Sequence, residues 1–191
     1  MSLLGLHIAA ILLDQKVKPK GPFCFFDIAI DGKNQGRLIF QLDKENAPKT
    51  TENFRQLCIG FRNTEGKFLH YKDNVIHGIN AEAGVIVGGD IQWKNGTGGE
   101  TIYGPTFSRE KCKTNFLKKG TLGMLTHPGL KNTSQFFILL HPHSKLTKQT
   151  AFGQIVKGYE LLQKMCKMGN KLEYPIAEVT IDDCGEIENH E

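Results

Sequence analysis

The sequence predicts an all-β-dominated domain, a barrel or sandwich of short strands with two added helices. The clearest signal is a series of short apolar segments separated by glycines, which is typical of antiparallel sheets joined by tight turns. Asp31-Gly32 lies between two such segments, 23–30 and 36–42, and predicts a hairpin. Further strands are predicted over 74–79, 83–87, 120–125, 136–140, 150–156 and 177–181, and a polar loop over 60–73.

Two segments have helical periodicity. The first, 47–58, places Pro48 at a first-turn position with the acid Glu52 in the same turn, and Gly60 ends it. The second, 159–168, is amphipathic and is expected to end before a glycine.

Composition limits the class of protein. A chain of 191 residues with 39% hydrophobic and 23% charged residues fits one soluble globular core. A net charge of +4 with no arginine-rich block favours a solvated basic surface over a nucleic-acid interface.

The cysteines and histidines show no metal-binding pattern. Five cysteines lie scattered without CxxC spacing, which indicates neither a disulfide scaffold nor a zinc site. We therefore expect a reducing compartment, cytoplasmic or nuclear, and no cofactor. His141 and His143 flank a proline, and we read them as an exposed turn rather than as a metal pair.

The N-terminal apolar run over 3–13 is shorter than the about 20 residues that span a bilayer. No Lys or Arg precedes it and Asp14 follows it, which argues against a secretory signal, although a signal within 1–13 stays open. We expect an N-terminal extension over 1–21, one domain over 22–187 and a tail over 188–191.

Several motifs, in order along the chain, resemble the cyclophilin family over about residues 22–187. They include 25–28 (FFDI), 47–50 (APKT), 88–90 (GGD), 95–99 (NGTGG), 134–137 (SQFF) and 183–185 (DCG). The resemblance implies a closed eight-stranded antiparallel barrel capped by two helices, with a groove for proline-containing peptides on its outer face. It makes Phe136 a core residue and Phe137 the floor of the proline pocket.

The chemistry of the family needs a donor that this sequence lacks. Rotating an X–Pro bond requires no nucleophile, only an apolar socket and a fixed donor that stabilises the twisted amide. The resemblance places the family's catalytic arginine at Gly78 and its supporting glutamine at Val87, so no catalytic residue is assigned. His77 is expected to be a partly buried structural histidine rather than a replacement acid.

The family's peptide-binding socket is also altered. A family phenylalanine and methionine correspond to Gly84 and Val85, and the stretch from His77 to Gly88 holds one extra residue. Lys145 stands where the family has a tryptophan, so we expect weak or absent cyclosporin binding. The peptide-binding positions implied by the resemblance are Val85, Leu125, Thr126, Gln135, Phe137, Lys145, Leu146 and Gln149.

Cys58 and Cys184 match the two cysteines of divergent-loop cyclophilins, in which the pair can be oxidised. The alternative, two buried free thiols, is favoured because the loop at 62–68 departs from the family's sequence.

Two functions stay open on the sequence. The first is a monomeric binding or scaffold module for proline-containing clients, with weak or no isomerase activity. The second is an active peptidyl-prolyl isomerase that assists protein folding. Nucleic-acid association, known from relatives with extra arginine-serine or recognition-motif domains, is not supported because no such segment is present.

Overall fold

The structure, a computed structural model, describes residues 21–111, 118–143, 146, 149–170 and 172–187. Most of the N-terminal extension and the whole C-terminal tail therefore lie outside the described residues. The elements, in chain order, are β1 (Phe23–Ile30), β2 (Lys33–Leu42), α1 (Pro48–Ile59), β3 (Phe61–Arg62), β4 (Phe68–Leu69), β5 (Asn74–Asn80), β6 (Val85–Gly88), β7 (Phe107–Ser108), β8 (Thr121–His127), β9 (Lys131–Leu139), β10 (Thr150–Lys157), α2 (Tyr159–Cys166) and β11 (Val179–Ile187).

Eight antiparallel strands form a closed barrel, as the resemblance implied. The strands follow one another around the barrel as β6, β5, β11, β1, β2, β10, β8 and β9, and the pairing of β6 with β9 closes the ring. The short strand β7 adds to β9 outside this ring, and β3 pairs with β4 in a separate hairpin. A closed barrel leaves no exposed sheet edge among its main strands.

The predicted hairpin between β1 and β2 is confirmed. Asp31 has φ +48° and Gly32 has φ +70°, as a type I′ turn requires at both of its central residues. The turn starts a ladder in which Phe26 lies opposite Leu38, so the apolar faces of the two strands coincide.

Aromatic rings fill the core inside the barrel. Phe54 of α1 lies 5.2 Å from Tyr71 and 5.6 Å from Phe136 between ring centroids, and Phe26 lies 5.5 Å from both Phe54 and Phe136. Edge-on and tilted pairs at these distances are favourable beyond the area that they bury. The rings fix α1 across one end of the barrel, and β9 contributes Phe136 from its inner face.

The N-terminus of α1 differs from the sequence prediction. Pro48 does occupy the first turn, but Glu52 lies beyond it. The carboxylate of Glu110 instead accepts hydrogen bonds from the backbone nitrogens of Lys49 and Thr50, at 3.0 and 2.7 Å. An acid from a distant segment therefore satisfies the free N–H groups of the first turn.

The second helix is shorter than predicted, since α2 ends at Cys166 and Lys167 caps it. Its inner face buries Leu161, Leu162 and Met165. Among the described residues, no helix has the length and apolar character needed to cross a membrane.

The segment 60–73 was predicted to be a polar loop, and this prediction is wrong in part. It contains the hairpin of β3 and β4, and it buries Leu69 and Tyr71. Glu100 ties the hairpin to the barrel through a hydrogen bond from Asn63 and an ion pair with Lys67. The polar composition of this segment did not reveal its two buried side chains, because the residues that bury them are distant in sequence.

Candidate functional site

A small apolar cluster lies on the outer face of the barrel, separate from the main core. Its buried members are Phe137, Leu139 and Ala151, on β9 and β10. The strand period of two places Phe136 and Phe137 on opposite faces of β9, inside and outside the barrel, as predicted. Four partly buried side chains pack against the cluster, and they are Val85, Val87, Leu125 and Leu146.

The tip of the Phe137 ring lies against a glycine of the next strand. Gly123 of β8 is paired with Phe137, and a Cβ atom added at Gly123 would lie 2.2 Å from the Phe137 Cζ atom. Glycine is therefore required at 123, since any larger residue would push the ring away. Phe137 is 3% exposed, and the partly buried valines and leucines of the cluster pack around it.

Gly78 and Val87 face each other across β5 and β6. They are direct partners in the ladder, and Val87 is in turn the partner of Phe137 on β9. A Cβ atom added at Gly78 would lie 3.3 Å from the Val87 Cβ atom and 3.9 Å from the Glu173 carbonyl oxygen. The two positions that the resemblance gives to the arginine and the glutamine thus lie together beside the apolar cluster. Both carry apolar or no side chains.

A β-bulge keeps this pairing in register. Ile76 is opposite Gly88 and Gly78 is opposite Val87, so His77 is the additional residue of the bulge. The connection from β5 to β6 is a turn over 81–84. The insertion between 77 and 88 therefore does not shift Gly78 away from Val87.

An imidazole occupies the space next to Gly84, which sequence reasoning missed. A Cβ atom added at Gly84 would lie 2.1 Å from the His141 Nε2 atom, and Gly84 has φ +72°. The backbone N–H of Leu140 donates to the Gly84 carbonyl at 2.8 Å and holds the two segments together. Residue 84 must therefore remain glycine while His141 keeps this position, and no local sequence signal marks the contact.

Two of the predicted peptide-binding residues form a polar group at one side of the cluster. The Thr126 backbone N–H donates to Gln149 Oε1 at 2.6 Å, and the Thr126 hydroxyl donates to Asn132 Oδ1 at 2.9 Å. These bonds position Gln149 beside Leu146, so the polar and apolar residues of the predicted set meet here.

The Gln135 side chain is buried against the loop at 96–98. Its side chain is fully buried, and Nε2 donates to the carbonyls of Gly96 and Gly98 at 3.0 and 2.6 Å. The adjacent loop is held by Asp90, whose carboxylate accepts backbone hydrogen bonds from five residues: Gln92, Trp93, Asn95, Gly96 and Gly98. Burial alone would raise the pKa of Asp90, but these donors hold it below its usual value. Gln135 thus supports a rigid loop.

His77 is partly buried beneath the same loop. Burial lowers its pKa, and the charge of Asp90 and the side chain of Gln135 oppose the shift only in part. The buried Nδ1 of His77 and Oε1 of Gln135 make no hydrogen bond of regular geometry. The imidazole packs against Gly96, where an added Cβ atom would lie 2.9 Å from the His77 Cδ2 atom.

The structure therefore brings together Val85, Leu125, Phe137 and Leu146 as one apolar cluster, with Thr126 and Gln149 at its side. Gln135 donates to the loop at 96–98 and is not part of this cluster. Lys145, also predicted to line the groove, lies outside the described residues.

Three thiols lie close together between α1 and the barrel. Cys24, Cys58 and Cys184 are buried and free. Burial, and then a hydrogen bond with Cys24, raise the pKa of Cys58 well above its usual value. Burial, and then the charge of Asp183, raise the pKa of Cys184 to about 12. The Cys184 sulfur lies 3.4 Å from the His70 Nε2 atom, which also lies 3.0 Å from the Cys58 carbonyl oxygen.

The fold and this outer-face site define a class of protein. The family described as cyclophilin type peptidyl-prolyl cis-trans isomerase/CLD matches residues 25–186, and the chain belongs to this family.

One curated relative covers most of the chain. The chain is 41% identical over 170 residues to a human protein named "Probable inactive peptidyl-prolyl cis-trans isomerase-like 6". The alignment covers 87% of this chain and 54% of that protein, so the chain spans about half the length of this relative.

The burial of the thiols predicts that they react slowly with an alkylating reagent. At pH 7 almost no thiolate is present on Cys184, whose pKa is about 12, and burial also raises the pKa of Cys58. Both should therefore react with iodoacetamide at least about 100-fold more slowly than an exposed cysteine. Mass spectrometry of the native protein over time, with the partly exposed Cys166 as the internal control, measures this. Labelling of Cys58 and Cys184 as fast as that of Cys166 would contradict the placement. Joint protection of the two after mild oxidation would instead show that they form a disulfide.

Proposed function

We propose that this chain is a binding module for proline-containing segments of client proteins and has little or no isomerase activity. The observation that carries the proposal is the pairing of Gly78 with Val87 beside the apolar cluster of Phe137. An apolar site next to this pair can take up a proline ring, but neither residue offers a side-chain donor to the amide being twisted.

The energetics separate binding from catalysis. Burial of a proline ring stabilises the planar and the twisted amide alike, and uniform binding of this kind does not accelerate the chemical step. Acceleration needs a donor that acts more strongly on the twisted amide, and one preorganised donor is worth about 10²–10³ in rate. With Gly78 in place of that donor, the bound X–Pro bond faces most of its intrinsic barrier of about 18–20 kcal/mol.

The family membership and the relative's name agree with this reading. The human relative is named as probably inactive. The match to the family covers residues 25–186, which include the barrel that carries the site. The alternative, an active isomerase, would require another positioned donor at the groove.

Peptide titration tests the binding half of the proposal. We expect a short peptide with a central Ala-Pro bond to shift the amide signals of Val85, Val87, Gly123 and Phe137 in the ¹⁵N-labelled chain, and its Ala-Ala counterpart to shift them less. Val85→Ser should weaken binding roughly fivefold, because it removes about 1 kcal/mol of apolar contact.

Val156→Ser is the matched control, because Val156 packs, partly buried, on a different outer cluster with Phe23 and Ile39. It should change the affinity less than about twofold. Equal weakening by both substitutions, or shifts that avoid the Phe137 cluster, would refute the groove.

Restoring the donor tests the catalytic half. Gly78→Arg alone should add little isomerase activity, and Gly78→Arg combined with Val87→Gln should add more, because a guanidinium needs a neighbour that holds it within about 0.5 Å of the productive position. The backbone allows the change because Gly78 does not have positive φ, and the Val87 side chain, 3.3 Å from a Cβ atom added at Gly78, must move slightly to admit it.

NMR exchange spectroscopy on an Ala-Pro peptide measures the gain, and circular dichroism checks the fold. The double variant should regain part of the about 10²–10³ in rate that one donor supplies, yet stay below an active cyclophilin because the socket is also altered. A folded double variant with no gain would show that the missing arginine is not the decisive change.

A further inference from the structure

The connection between α2 and β11 exposes three apolar side chains at alternating positions. Leu172, Tyr174 and Ile176 are 74%, 64% and 65% exposed. Single exposed apolar residues are ordinary on protein surfaces, but a contiguous group of this kind marks an interaction site more often than chance would give. Nothing in the proposed groove uses these residues.

The segment is held in one conformation by its own hydrogen bonds. Asn170 Oδ1 accepts from the backbone nitrogens of Leu172 and Tyr174, and the Ile176 N–H donates to the Met168 carbonyl at 2.6 Å. The Ile79 N–H of β5 donates to the Glu173 carbonyl at 2.8 Å, which fastens the segment to the barrel. A surface fixed in advance loses little conformational entropy when it binds, which favours recognition.

A shallow depression of about 440 Å³ adjoins these residues. Val75, Ile76 and Val179 form its apolar base, Tyr174 and Ile176 form one side, and Asp31 and Glu178 add two carboxylates. The Asp31 N–H donates to the Glu178 carbonyl at 2.9 Å, and the Glu178 N–H donates to Asp31 Oδ1 at 3.1 Å. Within the described part of the chain, neither carboxylate forms an ion pair.

The size of the surface decides between classes of occupant. The three side chains offer on the order of 300–400 Å² of apolar surface, which is the size of the largest patch on an ordinary monomer. Two folded proteins need about 800 Å² from each partner for a stable complex. A short peptide segment needs less, so the surface suits one extended strand of chain better than a second copy of the barrel.

The negative charge of the surface indicates which side chains the bound segment should carry. Unpaired carboxylates next to apolar groups attract lysine or arginine whose aliphatic stems can lie on the apolar surface. We propose that the surface formed by 172–178 with Asp31, Val75 and Ile76 is a second docking site, for an extended segment of a protein partner that alternates apolar with basic residues. This site is distinct from the proline groove and does not depend on it.

Titration of the ¹⁵N-labelled chain with a short synthetic peptide that alternates lysine with leucine, and contains no proline, tests the proposal. Amide shifts should concentrate at Val75, Ile76, Tyr174 and 176–179, and added salt should weaken binding. Asp31→Asn combined with Glu178→Gln should weaken binding roughly threefold, as expected from the loss of two exposed ion pairs. Tyr174→Ser should weaken it by about fivefold.

Matched controls lie elsewhere on the surface. Leu130→Ser changes an apolar residue that is 50% exposed in the turn between β8 and β9, and Glu65→Gln removes an exposed carboxylate, so both variants should bind the peptide as the wild type does. Three results would overturn the proposal: equal binding of a peptide with glutamate in place of lysine, shifts spread evenly over the barrel, or concentration-dependent dimerisation that alone accounts for changes at 174–179. Failure of the proline groove would leave these results unaffected.

Discussion

The pairing of β6 with β9 closes the barrel, and the candidate groove depends on it. This ladder sets Val87 opposite Phe137 and Val85 opposite Leu139, so the strand that pairs with Gly78 and the strand that carries Phe137 are neighbours in one sheet. The two consecutive aromatic residues of β9 lie on opposite faces of the strand. Phe136 joins the rings of Phe26, Phe54 and Tyr71 in the core, and Phe137 faces outward. Because the side-chain period is two, a shift of β9 by one residue would exchange these roles and disrupt both the core and the groove.

The barrel constrains its groove residues unequally. Gly123 is held by the Phe137 ring and Gly84 by the His141 imidazole, so both must stay glycine for reasons of space. Gly78 is under a weaker constraint, because a Cβ atom there would lie 3.3 Å from the Val87 Cβ atom, a tight contact in which the Val87 side chain must move by a few tenths of an ångström. Gly78 also lacks positive φ, so its backbone conformation does not require glycine.

Local signals in the sequence were sufficient for part of this structure. Asp31-Gly32 identified its hairpin because both positions need positive φ, and the alternation on β9 separated Phe136 from Phe137. The closed barrel was predicted from the motifs of the family, because no local pattern in the sequence shows that β6 pairs with β9. Features made by distant contacts were missed, including the capping of α1 by Glu110 and the hairpin that buries Leu69. The packing of His141 on Gly84 belongs to the same group.

For the site, the sequence was most informative where a residue type is missing. Gly78 and Val87 were identified as a lost donor and its lost partner, and they do lie opposite each other. The sequence could not show that Gln135 is fully buried under the 96–98 loop, because that depends on where the loop folds back. Nor could it show that the Glu173 carbonyl lies beside Gly78, since α2 and its connection return to β5 from far along the chain.

The most direct test of this account measures binding and isomerisation in one sample of the wild-type chain. With the protein at saturating concentration over an Ala-Pro peptide, exchange spectroscopy reports the cis–trans rate, while line broadening and chemical shifts report the bound fraction. We predict a bound peptide whose exchange is at least about 10²-fold slower than with an active cyclophilin, as loss of one preorganised donor requires. A rate within tenfold of the active enzyme would contradict the account, because another group in the groove would then supply the donor that Gly78 lacks.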